Sequence, residues 1–175
     1  MPYFEACIWI LIGLITGSFV NVCIDRLPLQ FADKEMRSRL LKSSQLSLLL
    51  KFHLQEGTLT LFKPTRSFCF YCGHQLRWFE NVPLLSYIFI KGRCRSCNAA
   101  LCSRLFWTET MHGLWYGLFG WLFQNWIWSL FACINFSFLW ILAYCRSHQQ
   151  VRIKLYYVGG VLLAVNFMEY LFITK

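Results

Sequence analysis

From Leu105 to Cys145 the sequence is apolar for about forty residues, interrupted near its middle by Gln124 and Asn125. Roughly 20 helical residues span the ~30 Å hydrocarbon core of a bilayer, so this run is twice as long as one crossing. Trp121, Trp126 and Trp128 flank the interruption. Polar turn residues bracketed by tryptophan suit a tight hairpin at a membrane interface, which predicts spans over 105–123 and 126–145. A first apolar run, Tyr3 to Ile24, lacks the basic start and the small-residue cleavage site of a signal peptide and reads as a retained anchor. A last run, 155–173, makes the fourth. The composition agrees, with 57% hydrophobic, 19% aromatic and 14% charged residues.

Charge then sets the expected orientation. Of seventeen Lys and Arg residues, thirteen lie in 25–104 and three in 146–154, while the connection at Gln124-Asn125 has none. The positive-inside rule places both basic connections in the cytoplasm and the N-terminus outside. The net charge of +9 is thereby explained by topology, and nucleic acid is not an expected partner. The expected fold is an all-α integral membrane protein of about four transmembrane helices, with the lipid bilayer as its surroundings and a small cytoplasmic insert.

That insert has two parts. Residues 31–62 form a leucine-rich stretch with scattered basic residues, bounded by Asp33 as a helix N-cap and Gly57 as a stop. It suits an amphipathic helix on the inner leaflet and equally a helix covering the segment that follows. Residues 63–104 are broken by Pro64, Gly73, Pro83 and Gly92 into pieces too short for a hydrophobic core, so a metal or covalent link must hold them.

Two C-x-x-C pairs, Cys69/Cys72 and Cys94/Cys97, supply the means. Four thiolates complete the closed tetrahedron of a structural zinc site, zinc-ribbon-like, with no position left for a reactive water. Gly73 and Asn98 follow the second cysteine of each pair, and both residue types tolerate the left-handed backbone that aims amide N–H groups at the sulfurs. A pair of disulfides or a thioredoxin-like motif are the alternatives, disfavoured where thiols stay reduced. His74 is a substitute ligand by position; Cys102 reads as a free thiol, and Cys7, Cys23, Cys133 and Cys145 as small apolar residues.

The segment Gly17-Ser-Phe-Val-Asn-Val-Cys-Ile-Asp-Arg-Leu-Pro28, then Trp78-Phe-Glu80-Asn81-Val-Pro83-Leu-Leu-Ser86, then Lys91-Gly92-Arg93-Cys94-Arg95-Ser-Cys97 and Glu109 resemble in order the N-terminal cysteine-rich domain of the type IV prepilin leader peptidase/N-methyltransferase family. The resemblance runs from about Gly13 to Gly120. It implies the bacterial inner membrane, a prepilin or type II secretion pseudopilin leader peptide as partner, and zinc. It further implies S-adenosylmethionine as donor for methylating the newly exposed N-terminal amine, with Glu80, Gly92 and Glu109 as the methyltransferase or substrate residues.

The family's peptidase step uses two aspartates in later spans. Here the only aspartates are Asp25 and Asp33, and Arg146 stands near the place of the first catalytic one. The expectation is a chain without peptidase activity of its own: a truncated or split form that retains leader binding or methylation, or a non-catalytic scaffold that partners a separate peptidase half. Simpler roles stand beside each candidate. Glu109 suits an interfacial carboxylate paired with Arg104, Glu80 a turn cap or partner of Arg77, Asp25-Arg26 a local ion pair, and His112 a packed polar residue between helices. Gly13-x-x-x-Gly17 predicts a closely approaching helix, which another span of this chain could provide.

Overall fold

A computed structural model describes the backbone of residues 2–123 and 125–173 and the side chains of 3–123 and 125–166. Gln124, half of the expected hairpin turn, lies outside the described residues. The elements in order are α1 (Pro2–Gln30), α2 (Lys34–Lys42), α3 (Leu48–Gln55), a 3-10 turn (Trp78–Asn81), α4 (Leu85–Phe89), α5 (Arg104–Leu122), α6 (Trp126–Tyr144) and α7 (Gln149–Ile173). Among the described residues there is no strand, only isolated bridges at Phe68/Gln75 and Arg93/Ala100.

Among the described residues, two helices are long and apolar enough to cross a membrane, Tyr3–Gln30 and Trp126–Tyr144. The other two expected spans are helices of 19 and 25 residues. The α5 sequence is less apolar because it carries Arg104, Thr108, Glu109, Thr110 and His112 along with its apolar residues. Helices thus lie over all four expected spans, with α7 beginning at Gln149, inside the connection expected at 146–154, and two of the helices meet the length and hydropathy of a crossing among the described residues.

The closest packing in the molecule joins α1 to α5. A Cβ on Gly17 would sit 2.8 Å from the Glu109 Cα and 3.1 Å from the Thr108 carbonyl oxygen, and one on Gly13 would run into the backbone of His112. Small residues four apart let the two backbones approach, so close dispersion contacts hold the pair. The partner of the Gly13/Gly17 face is therefore α5 of the same chain. His112 is buried here: its Nδ1 lies 2.7 Å from the Thr108 carbonyl, and its ring packs edge-to-face on those of Phe136 and Trp140.

Residues 31–62 form two helices where a single one was expected. Asp33 caps α2, accepting from the Met36 N–H at 2.7 Å, and Ser47 caps α3 through the Leu50 N–H. Serines at 43, 44 and 47 favour turns and caps over helix interior, which explains the break. Gly57, at φ 64°, follows α3 as a stop. Leu50 and Leu54 of α3 are buried with Leu59 and Phe68, and the Ser47 N–H donates to the Phe70 carbonyl at 2.7 Å. Of the two roles open to this stretch, covering the cysteine segment is the one seen for α3. Burying each such Leu or Phe contributes about 1.5–3 kcal/mol.

Arg26 ties the same region to α1. Its guanidinium donates to the carbonyls of Thr60, Leu61, Pro64 and Arg66 at 2.8–3.3 Å. It forms no pair with its neighbour Asp25, contrary to the local ion pair expected at that site; the helix turns the two side chains toward different elements.

Candidate functional site

The two cysteine pairs fold as matching knuckles. In the first, the Gly73 N–H donates to the Cys69 carbonyl and the Cys69 N–H to the His74 carbonyl. In the second, the Asn98 N–H donates to the Cys94 carbonyl and the Cys94 N–H to the Ala99 carbonyl. Gly73 at φ 78° and Asn98 at φ 59° take the left-handed backbone their positions call for.

All four sulfurs lie within 4.8 Å of one another. The shortest separations run across the knuckles, 3.8 Å for Cys69–Cys97 and 3.9 Å for Cys72–Cys94. A tetrahedron with metal–sulfur bonds of about 2.3 Å has edges of about 3.8 Å, so the set has the geometry of a four-thiolate zinc site. These separations are far longer than the ~2.05 Å of a disulfide. Burial pushes the Cys69 thiol up to about 12. Burial acts the same way on Cys94, but the N–H groups of Cys97 and Ser96 outweigh it and bring that thiol down to about 7. The cluster could hold a metal ion. Cys102 is exposed and outside it.

Between the knuckles and the facing ends of α1 and α5 lies a cavity of about 310 Å³. Its walls bring together the carboxylates of Asp25, Glu80 and Glu109, with aromatic faces from Phe68, Tyr71 and Tyr87. Glu80 and Glu109, singled out separately in the sequence, thus line one space. Gly92 takes φ 64° beside it, where a Cβ would lie 2.8 Å from the Tyr87 hydroxyl. It leaves room for the Tyr87 ring that the cavity uses.

Each carboxylate has a defined partner. Glu80 is buried and accepts from the Arg77 N–H at 2.8 Å, with His74 Nε2 at 3.3 Å. That is the turn-capping role, made through the Arg77 backbone, and it engages His74 in place of metal ligation. Glu109 accepts from the Leu84 N–H at 2.7 Å. Leu84 stands at φ 59° and ψ −52°, the rarer and strained form of γ-turn, closed by the Leu85 N–H donating to the Pro83 carbonyl, with strain of about 1–3 kcal/mol; a hydrogen bond to a charged acceptor, about 1.5–3 kcal/mol, offsets it. The expected Glu109–Arg104 pair does not form. Arg104 donates instead to Asn21 Oδ1 at 3.0 Å and Asp25 Oδ1 at 2.5 Å.

That triad of Asn21, Asp25 and Arg104 was not singled out from the sequence. Its signal was present: Ser18, Asn21 and Asp25 recur at helical spacing and put one polar stripe on α1 inside an apolar run. All three residues line the cavity.

The Arg77 N–H, followed by His74, holds the Glu80 carboxyl below its ordinary value of 4.5 despite the opposing effect of burial. A depressed folded-state pKa means that this stabilisation is complete above pH 4.5 and is lost as pH falls through the lowered value. Glu80→Ala should cost about 1.5–3 kcal/mol at pH 7, as for loss of a hydrogen bond to a charged group. Thermal melts of the two proteins should differ at pH 7 and converge with acidification.

Comparison with known proteins bears on the same residues. Residues 11–123 match the bacterial peptidase A24 N-terminal domain family, and every residue lining the cavity falls in that span. The chain is 38% identical over 114 residues to a prepilin leader peptidase/N-methyltransferase of Pseudomonas aeruginosa, covering 65% of this chain and 37% of that protein. For the protein of the same name in Vibrio cholerae, identity is 31% over 127 residues, covering 73% and 42%. For that of Neisseria gonorrhoeae it is 31% over 140 residues, covering 79% and 47%. The chain therefore spans less than half the length of these curated relatives. No solved structure matches. With more than half of its residues under the family model, the chain belongs to the bacterial peptidase A24 N-terminal domain family.

Proposed function

We propose that this chain acts in the processing of type IV prepilin-like or type II secretion pseudopilin precursors at the bacterial inner membrane. A zinc-clamped module and the facing ends of α1 and α5 would receive the N-terminal part of the precursor. In this reading α1, α5, α6 and α7 all span the bilayer. The two basic segments, 25–104 and 146–154, which include the last residues of α1, the first residue of α5 and the first residues of α7, lie in the cytoplasm with the zinc module, and the N-terminus lies outside.

The observation that carries the proposal is the convergence of Asp25, Glu80 and Glu109 on one aromatic-walled cavity, in a chain of this family. Arg104 offsets the charge of Asp25 and Arg95 also lines the space, so Glu80 and Glu109, with the aromatic faces, are the groups that would attract a cationic amine or a basic leader. The zinc, held by Cys69, Cys72, Cys94 and Cys97, would fix the wall without taking part in chemistry, since all four of its positions are filled.

For N-methylation, S-adenosylmethionine would supply the methyl group when bound, and acidic and aromatic walls fit its cationic, adenine-bearing structure. The residues' own part is to hold the precursor's amine and take its proton, because only the neutral amine is nucleophilic. Glu109 suits that task, with one oxygen anchored by the Leu84 N–H. Peptide cleavage is not assigned to this chain: Asp25 is engaged by Arg104, and Asp33 caps α2.

The test is methyl transfer from labelled S-adenosylmethionine to a peptide with a mature pilin N-terminus, using purified chain in nanodiscs. Transfer should fall by about 100-fold or more in Glu109→Gln, the usual size of a lost general base. Peptide binding without transfer would assign the scaffold role beside a separate peptidase half. Neither binding nor transfer would refute the proposal.

A further inference from the structure

A second groove on the cysteine module adjoins the cavity, sharing Glu80, Ser86, Ile90, Cys94 and Arg95 with it. Phe79, Leu85 and Phe89 line it together with Arg93 and Arg95. The apolar residues are unusually open for their size: Trp78 is 82% exposed, Phe89 79%, Ile88 59% and Leu85 53%. Lys91, Arg93 and Arg95 are exposed beside them, and the Arg95 guanidinium lies 5.7 Å from the Phe79 ring centroid. The acidic residue touching this groove, Glu80, is buried and committed to Arg77 and His74. The surface is therefore apolar with a basic rim.

Its position relative to α5 decides what covers it. The residue before α4, Leu84, donates to Glu109 at 2.7 Å. Glu109 stands five residues into α5, about 7.5 Å along the axis at 1.5 Å per residue. Tyr87 of α4 packs on Phe106 with ring centroids 5.7 Å apart. So α4 lies beside the first two turns of α5, level with the exposed Trp107. Tryptophan at a helix entry marks the interface of a bilayer, and an apolar face held at that depth meets lipid before it can meet a soluble protein.

We infer that α4, with Trp78 and Phe79, is seated in the headgroup region of the leaflet that α5 enters, with Lys91, Arg93 and Arg95 against anionic phospholipid. This rests on the membrane-spanning reading of α5 given above and adds an interfacial anchor to it. An apolar face with basic flanks is the general form of elements that lie in the membrane surface. Such seating would keep the mouth of the carboxylate cavity at the bilayer surface.

The test places photoreactive p-benzoylphenylalanine at Ile88 or Phe89 in the full chain, in nanodiscs of phosphatidylethanolamine and phosphatidylglycerol, followed by intact-mass analysis after irradiation. Leu114, exposed in the middle of α5, serves as the reference position. Phospholipid adducts are expected at all three positions. At Ile88 and Phe89, the phosphatidylglycerol-to-phosphatidylethanolamine adduct ratio should exceed the bulk ratio about fivefold for each basic residue engaged, and Arg93→Ala/Arg95→Ala should lower it to the part that Lys91 alone supports. Lipid adducts at Leu114 with none at Ile88 or Phe89 would overturn the inference while leaving α5 in the membrane. Protein adducts at Ile88 in their place would overturn it in favour of a protein partner. No lipid adduct at Leu114 would overturn the spanning reading as well. An unchanged phosphatidylglycerol share in the double variant would overturn the assignment of the basic rim.

Discussion

Cys94→Ser should release the metal and melt residues 63–104 while the apolar helices stay folded. Zinc content, about one per chain in the parent protein, should fall below about a tenth of that, since four-ligand sites bind with about 10 kcal/mol or more. The apolar contacts of the module are too few to replace that energy. Its Phe68 joins Leu50, Leu54 and Leu59 of the preceding stretch in one small buried apolar cluster, at about 1.5–3 kcal/mol each before the entropy of ordering the chain is subtracted. Limited proteolysis should then cut within 63–104. Cys102→Ser, at an exposed thiol outside the cluster, should retain the metal and resist the protease. Full zinc retention in Cys94→Ser would contradict the tetrahedral assignment.

Gly17→Leu should be nearly as damaging, by a different route. A Cβ at this position meets Glu109 Cα at 2.8 Å and His112 Cβ at 3.0 Å, both close to or part of the α5 backbone, so no side-chain rotation relieves it. The helices must separate, at about 3 kcal/mol or more for overpacking against backbone. Separation would also part Asn21 and Asp25 on α1 from Arg104 on α5, which now meet at 3.0 and 2.5 Å. Loss of thermal stability in detergent should therefore be accompanied by loss of peptide binding. Gly160→Leu, on α7 with nothing within 4 Å of an added Cβ, should change neither.

Much of this arrangement was legible in the chain because its determinants are local. The C-x-x-C spacing, with Gly73 and Asn98 placed after each pair, fixes a knuckle within a few residues. Asp33 shows itself as a cap by its position ahead of α2. The Gly13/Gly17 spacing pointed to a close helix contact, although only the three-dimensional arrangement identified α5 as the partner.

What escaped was set by residues far apart in sequence. Glu109 and Leu84 lie 25 positions apart, and nothing about a leucine announces a φ of 59°. Arg104 could be read as the partner of Glu109 because the two are close in sequence, yet the helix aims it at α1. The break between α2 and α3 was written in Ser43, Ser44 and Ser47, but the surrounding leucines gave the stronger impression of one continuous helix.

If the metal-clamped module and α1/α5 together form a receiving site for the precursor's N-terminal segment, the precursor should bind only while the metal is in place. Fluorescence anisotropy of a labelled peptide spanning a prepilin leader and its first mature residues, titrated with nanodisc-embedded chain before and after zinc removal by a chelator, tests it most directly. Saturable binding is expected, lost with the metal and regained when zinc is restored. Equal binding by the zinc-free chain would contradict it.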